Sequence, residues 1–241
     1  MLSLPSVTLV AVSSVNLRRT ISALRFSMKE IQFADVKLLT HEIPKRLDPR
    51  INTHLVSKID SIDKYSEFMV YKLGDYIDTE HCLIVQADGF VLHADKWSND
   101  FLKYDYIGAP WPVTKNAYID PFGNHVRVGN GGFSLRSQKL LSVPKDNRVV
   151  WDVNSSDFYA HMNVGLQSED GIICVHNRHV YEQAGCVFAP IEIAAKFATE
   201  VKVAESSRGN TFGYHKRRPP FGWVLQANRF NGYLKNRYFG R

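Results

Sequence analysis

Cysteine is scarce in this chain, and no long apolar run occurs. Cys82, Cys174 and Cys186 are widely spaced and form no Cys-x-x-Cys pair, which argues against a disulfide framework or a zinc knuckle. No segment approaches the roughly 20 apolar residues that a membrane-spanning helix needs. The first twelve residues have no basic start and contain Pro5, so we expect no signal peptide. These features predict a cytoplasmic protein.

Two common nucleotide-binding fingerprints are also missing. No Gly-x-Gly-x-x-Gly follows the first apolar segment, and no Gly-x-x-x-x-Gly-Lys-Ser/Thr occurs. The chain therefore lacks the phosphate-binding loops of dinucleotide-binding proteins and of P-loop proteins.

Acidic residues are absent from the last part of the sequence. From Arg208 to Arg241 there are eight Lys or Arg and no Asp or Glu, so the net charge of +6 belongs to this segment. Its basic residues alternate with Phe, Trp and Tyr, a composition that favours contact with nucleic acid or with an anionic membrane. A solvated, partly packed extension is the alternative. We divide the chain into one domain, residues 1–215, and a basic aromatic extension, residues 216–241.

Apolar residues are plentiful, and their spacing predicts an α/β fold. Hydrophobic residues make up 44% of the 241 residues, enough to bury a core. Strand-like segments at residues 4–12, 34–40 and 82–86 alternate with segments of helical spacing at residues 17–31 and 65–76. This order predicts a mostly parallel sheet flanked by crossover helices. Such a sheet binds ligands beyond the carboxyl ends of its strands.

Residues 83–92 read LIVQADGFVL and allow two interpretations. Asp88-Gly89 between two apolar runs is a strong hairpin signal. The same Asp88 follows a predicted strand directly, at the edge where a parallel sheet binds its ligands. The position favours a functional role for Asp88, and the hairpin is the alternative.

Several short motifs follow one another in a recognisable order. They are LIVQADGF, YDYIGAPW, VGNGGFSLRS, Glu169-Asp170 and Phe212-Gly213-Tyr214-His215. With this set the chain resembles a family of glycosyltransferase-like proteins of the GT-A fold that carry QxDG, YDYIGAPW, GNGGFSLRS, ED and FGxH. The resemblance covers residues 7–215. It implies a Rossmann-like sheet and a transferase that uses a nucleoside-diphosphate sugar and a divalent cation, Mn²⁺ or Mg²⁺.

The resemblance also implies a metal site, with one departure from the usual pattern. GT-A enzymes commonly carry Asp-x-Asp, but the first position here is Gln86, whose neutral amide is a poor metal ligand. Asp88 must then supply the carboxylate, and we expect His215 to be the second protein ligand. Such a site suits a hard cation held largely by diphosphate and water.

Transfer with inversion of the sugar needs a base that accepts the proton of the acceptor hydroxyl. We predict Asp170 for this role, followed by Glu169. Both precede a predicted helix, where the N-terminal dipole favours an ionised carboxylate. Ordinary acidic residues at a helix N-terminus are the alternative.

Further positions are assigned from the motifs. The predicted donor-binding residues are Ser13, Asn16, Gln86, Ala87, Asp88, Gly131 and Gly132. The glycines would let the donor approach the backbone closely. Trp111, Phe133 and Arg136 are predicted to contact the acceptor, although Trp111 can equally be a core residue and Arg136 can pair with Asp88, Glu169 or a surface acid.

The acceptor and even the enzymatic class have alternatives. The acceptor is expected to be a surface glycan, or a hydroxylated base in modified DNA that the basic extension would help to bind. A non-catalytic nucleic-acid- or membrane-binding protein on a degenerate GT-A fold would explain Gln86. A metal-dependent phosphoesterase that uses Asp88, Asp170 and His215 is a third possibility.

Overall fold

The computed structural model places most of the chain. It describes residues 1–114, 118–146, 149–151, 168–206 and 210–215. The predicted basic extension, residues 216–241, lies outside the described residues.

Nine strands occur in the described residues. They are β1 (Leu2–Val12), β2 (Ile31–Thr40), β3 (Asn52–Leu55), β4 (His81–Val85), β5 (Gly89–Val91), β6 (Tyr106–Ile107), β7 (Phe133–Ser137), β8 (Ala198–Thr199) and β9 (Gly213–His215). Six of them form a central sheet in the order β3-β2-β1-β4-β7-β6, and the other three form a small sheet in the order β5-β9-β8. In the central sheet β1 to β4 are parallel, and β7 is antiparallel to both β4 and β6. The predicted mixed α/β fold with a mostly parallel sheet is confirmed.

The helices of the described residues are short. They are α1 (Leu17–Ser27), α2 (Ile62–Tyr71), α3 (Gln138–Ser142), α4 (Glu169–Gly171), α5 (Arg178–Gln183) and α6 (Ile191–Phe197). One π-helical turn, Ile172–His176, joins α4 to α5. Turns of 3₁₀ helix occupy Leu73–Tyr76, Ala94–Lys96, Asn99–Lys103 and Val143–Asp146. Within the part of the chain that is described, no helix has both the length and the apolar character needed to cross a bilayer.

The central sheet is covered on both faces, which explains why its strands are almost continuously apolar. Leu9 and Ala11 of β1 pack into the cluster that contains Leu24 of α1. Val10 and Val12, on the opposite face, join the cluster that contains Met69 of α2. Because successive strand residues point to opposite faces, one strand supports both helices.

The Asp88-Gly89 turn does not form a hairpin. The N–H of Gly89 donates to the carbonyl of Gln86 at 3.1 Å, which makes a tight turn. The strands on either side separate, however, because β4 belongs to the central sheet and β5 pairs with β9 in the small sheet. The hairpin interpretation is therefore wrong, and Asp88 lies where the chain passes from one sheet to the other.

Candidate active site

A cleft of about 500 Å³ lies beyond the carboxyl ends of β1 and β4. Its walls come from the segment after β1, the start of α2, the segment after β4 and the first residue of α4. They include Ser13, Asn16, Ile62, Tyr65, Gln86, Ala87, Asp88 and Glu169. A parallel sheet is expected to bind its ligand at this edge. The structure therefore brings five of the seven predicted donor residues to one cleft.

The wall after β1 is held by backbone contacts. The N–H of Ser13 donates to the carbonyl of Leu39 at 3.0 Å, and the hydroxyl of Ser14 accepts from the N–H of Ile59 at 2.8 Å. Asn16 precedes α1 with φ of 50° in the left-handed region, which asparagine tolerates better than most residues. Its side chain forms no capping bond with the helix. The amide of Asn16 is thus not used to start α1.

The wall after β4 is fixed by Gln86. Its N–H donates to the carbonyl of Gly132 at 3.1 Å, and its side-chain amide donates to the hydroxyl of Tyr65 at 2.9 Å. The amide therefore ties α2 to the glycine-rich segment.

The glycine-rich segment turns sharply at Asn130, whose φ is 68°. Its side-chain oxygen accepts from the N–H of Phe133 at 3.2 Å, and its amide nitrogen lies 3.0 Å from Nδ1 of His215. The hydroxyl of Tyr106 donates to its backbone carbonyl at 3.2 Å. Asn130 is thus a buried residue that shapes the turn and contacts a predicted metal ligand, and sequence reasoning did not assign it a role.

Gly131 and Gly132 are required by their neighbours inside the protein. A Cβ atom on Gly131 would lie 1.7 Å from Oε1 of Glu169, and one on Gly132 would lie 2.1 Å from Nε2 of His215. The absence of side chains therefore lets an acid and an imidazole approach the backbone. The predicted close approach of the donor sugar to these glycines stays a prediction.

His215 lies between two carboxylates. Its Nε2 is 3.5 Å from Oδ1 of Asp88, and its Nδ1 is 3.6 Å from Oε1 of Glu200. Burial favours the neutral ring, but the two carboxylates outweigh it and raise the pKa of His215 to about 9. The hydrogen bond with His215 lowers the pKa of Asp88.

Glu200 was not identified from the sequence. It follows β8, which pairs with β9, the strand that carries His215. The contact between Glu200 and His215 depends on this strand pairing, so no spacing in the sequence indicates it.

Glu169 and Asp170 form the first turn of α4, whereas the sequence placed them just before a helix. Asp170 is half-buried, and its carboxylate accepts from the N–H of Gly131 at 3.1 Å, from the N–H of Gly171 at 2.9 Å and from the hydroxyl of Ser168. These three donors fix its orientation. They also link α4 directly to the glycine-rich turn.

Glu169 is buried and lies 3.4 Å from Nη2 of Arg136. Burial and the neighbouring Asp170 raise the pKa of Glu169 to about 7, against the opposing effect of Arg136. Arg136 is fully buried, donates to the hydroxyl of Ser134 at 3.2 Å and lies 5.3 Å from the ring centre of Tyr106. Of the alternatives for Arg136, pairing with Glu169 is the one that occurs.

The three predicted acceptor residues lie inside the protein. Trp111 is buried and stacks on Tyr118 with ring centres 4.3 Å apart. Phe133 is buried against Phe197. None of Trp111, Phe133 and Arg136 lines the cleft. A direct contact with an acceptor would require these buried side chains to become accessible, so we do not carry those roles into the proposed function.

Asp88 and His215 are two candidate metal ligands that face each other. Among the described residues no group of three or more His, Cys, Asp or Glu is arranged to hold a metal ion. Oδ1 of Asp88 and Nε2 of His215, 3.5 Å apart, are nevertheless within reach of one cation. Two protein ligands fit a hard cation that takes its other ligands from phosphate and water.

Comparison with known proteins places the chain in a family. A family described as "Protein of unknown function (DUF5672)" matches residues 50–215, more than half of the chain, and the chain belongs to it. The matched region contains Asp88, Glu169, Asp170 and His215. Among curated proteins, no sequence matches.

Two solved structures share an arrangement of similar elements. The glycosyltransferase GlyE of Streptococcus pneumoniae TIGR4 is 15% identical, with a TM-score of 0.44 over 77% of this chain and 45% of that chain. The chain thus spans less than half the length of that structure. A glycosyltransferase involved in the glycosylation of the major capsid of PBCV-1 is 11% identical, with a TM-score of 0.44 over 95% of this chain and 99% of that chain.

Proposed function

We propose that this protein is a glycosyltransferase that moves a sugar from a nucleoside-diphosphate sugar to an acceptor hydroxyl. One observation carries the proposal: side chains far apart in the sequence converge on a single glycine-rich turn beside one cleft. His215, which faces Asp88, packs against Gly132, and both Glu169 and Asp170 contact Gly131. Sugar transfer needs a group that stabilises a leaving diphosphate and a base for the acceptor, and these two pairs supply both.

The cleft suits a nucleotide donor. Val15 and Ile62 are exposed apolar residues at its rim, and Tyr65 adds an aromatic ring. These side chains offer an apolar surface for a nucleobase, and Ser13 and Asn16 add polar groups to the walls. Asp88 lines the same cleft and lies beside His215. We assign the diphosphate to the surroundings of Asp88.

Asp88 and His215 would hold a divalent cation, Mn²⁺ or Mg²⁺. Once bound, such a cation neutralises negative charge on the leaving diphosphate. The carboxylate and the imidazole are oriented by the protein: Gln86 fixes the turn before Asp88, and Glu200 contacts the second nitrogen of His215. The residues around the site therefore keep two ligands aimed at one point.

Asp170 is the base in this proposal, and Glu169 is its partner. A base must reach the acceptor hydroxyl within hydrogen-bonding distance. Asp170 is the more exposed of the two, and three donors fix the orientation of its carboxylate. Glu169 is buried against Arg136, so its contribution is to hold the start of α4 in place.

The acceptor is a hydroxyl of a glycan or of a hydroxylated base in DNA. The DNA version depends on the basic extension, residues 216–241, which lies outside the described residues. For localisation, we propose that the same extension can make a peripheral contact with a membrane.

The test is release of nucleoside diphosphate from a panel of nucleotide sugars with Mn²⁺ present. We expect turnover with at least one donor and a loss of about 100-fold or more in Asp88→Asn, because the substitution removes the charge that would hold the cation. Asp95→Asn, at an exposed position outside the cleft, is the matched control and should keep full activity. Full turnover in Asp88→Asn would refute the site.

A further inference from the structure

A second cavity, of about 460 Å³, shares no wall residue with the donor cleft. It lies between the loop of residues 118–128 and α5. Its walls include Asp120, Phe122, Asn124, Arg178, His179 and Glu182. We propose that this cavity binds carbohydrate and is the subsite for a glycan acceptor. The acceptor role rests on the proposed function, whereas the carbohydrate binding does not.

The loop that forms one wall is organised around Asp120. Its carboxylate accepts from the N–H of Phe122 at 2.9 Å, from the N–H of Asn124 at 2.8 Å and from the side-chain amide of Asn124 at 3.0 Å. Gly123, with φ of 86°, allows the sharp turn at the tip. A bridge between Ile119 and His125 closes the loop. The loop is therefore built in one conformation before any ligand arrives, which lowers the entropic cost of binding.

This rigid loop holds an apolar ring in solvent. Phe122 is 68% exposed and lies at right angles to the ring of His179, with ring centres 5.2 Å apart. The exposed ring offers an apolar surface on which the apolar face of a ligand can pack.

The opposite wall offers planar hydrogen-bonding groups. Nε of Arg178 donates to Glu182 at 2.8 Å, and the guanidinium of Arg178 lies 4.4 Å from the ring centre of Phe188. The remaining N–H groups of a guanidinium and the free lone pairs of a carboxylate can bind neighbouring hydroxyls. The stacking on Phe188 keeps this pair in place.

The charges of the cavity balance, and this selects the ligand class. Arg127 and Arg178 are the two arginines of the wall, Asp120 and Glu182 are its two acids, and Arg178 pairs directly with Glu182. The cavity thus has no excess of cations for a phosphate and no excess of acids for a metal ion. A neutral ligand with several hydroxyls and one apolar face matches both walls: the face covers Phe122, and the hydroxyls reach the polar groups. A sugar has this chemistry.

The position of the cavity suits an acceptor that extends to the donor cleft. Val128 lines the cavity, and Gly131, three residues later, donates to the proposed base Asp170. Three residues span at most about 11 Å, the length of roughly two sugar units in a chain. An oligosaccharide seated in the cavity can therefore present its end near Asp170.

The test is saturation-transfer NMR on the full-length protein, with a mixture of the methyl glycosides of glucose, galactose, mannose and N-acetylglucosamine plus maltose, lactose and cellobiose. We expect saturation transfer to at least one of these sugars. Phe122→Ala should weaken that binding by about tenfold or more, because an aromatic face is lost. Ile43→Ala is the matched control: Ile43 is 71% exposed and lines neither cavity, so its variant should bind like the wild type.

The outcomes separate this inference from the proposed function. If none of these sugars binds, or if Phe122→Ala binds them as the wild type does, the cavity is not a carbohydrate site, even when donor turnover depends on Asp88. If sugar binding depends on Phe122 but no donor is turned over, the carbohydrate site stands and the transferase proposal fails. Asp88→Asn should keep its sugar binding, since Asp88 lies in the other cleft.

Discussion

Two clusters of charged side chains lie beside the same glycine-rich turn, and their basic residues, His215 and Arg136, differ in chemistry. On one side, His215 lies between Asp88 and Glu200 and packs against Gly132. On the other side, Arg136 pairs with Glu169, which packs against Gly131.

The two cations differ in exposure and in chemistry. The side chain of His215 is 18% exposed, and that of Arg136 is 0% exposed. A guanidinium keeps its proton under all ordinary conditions, whereas an imidazole can lose one and use the freed nitrogen as a metal ligand. The Arg136 cluster therefore keeps its charge, whereas the His215 cluster contains an imidazole that can lose a proton; in the proposed function that imidazole would bind the cation.

The largest effect is expected from breaking the Arg136 cluster. Arg136→Met leaves Glu169 buried without its partner, which should lower the free energy of unfolding by about 3 to 5 kcal/mol. Chemical denaturation followed by circular dichroism measures this. The double variant Arg136→Met with Glu169→Gln should be less destabilised than Arg136→Met alone, because no unpaired charge remains. Equal stability of Arg136→Met and the wild type would contradict the structural role.

The second prediction is that, in metal-free protein, the two clusters lose their contributions to the free energy of unfolding over different pH ranges. Folding raises the pKa of Glu169 from 4.5 to about 7, so the folded state binds the proton more tightly and stability falls as pH rises through that window. Folding raises the pKa of His215 from 6.5 to about 9, so its contribution is complete below pH 6.5 and is lost as pH rises through 9. The loss at His215 should be at most about 3 kcal/mol.

Denaturation curves at a series of pH values between 4 and 10 test both windows. Glu169→Gln should flatten the fall between pH 4.5 and 7, and His215→Gln should flatten the fall between pH 6.5 and 9. If His215→Gln leaves the upper window unchanged, then His215 is not the group that titrates there.

The sequence predicted the sheet and the position of Asp88 for local reasons. The apolar segments that became β1, β2 and β4 are long and alternate with helical spacing, so short-range patterns were sufficient. The hairpin alternative at Asp88-Gly89 arose because a turn signal is the same whether its two strands pair with each other or with different partners. Only the pairing of β5 with β9, which joins Gly89 to His215 126 positions later, decides between them.

The residues that support the site were harder to predict than the motif residues at its centre. Asp88, Glu169, Asp170 and His215 stood out because their motifs follow a recognisable order. Glu200 and Asn130 did not, since their roles depend on contacts with His215 that only the folded chain creates. Arg136 was assigned to an acceptor from its motif, with pairing to Asp88, Glu169 or a surface acid as alternatives, and the buried pair with Glu169 is the one that forms.

The smallest effect is expected at the residue that sequence reasoning missed. In the proposed metal site, Glu200 would hold the ring of His215 through Nδ1 while Nε2 faces the cation, an arrangement that orients the ligand and raises its basicity. Glu200→Gln should weaken Mn²⁺ binding by about tenfold, measured by isothermal titration calorimetry, because the negative charge beside Nδ1 of His215 is lost. Glu205→Gln, which removes an acid paired with Arg127 outside this site, is the control and should bind Mn²⁺ as the wild type does. If both variants lose Mn²⁺ affinity, the overall negative charge of the region supports binding, and not Glu200 in particular. If Glu200→Gln keeps its Mn²⁺ affinity, the imidazole needs no carboxylate to hold it. Either result would contradict the role assigned to Glu200 in the His215 cluster.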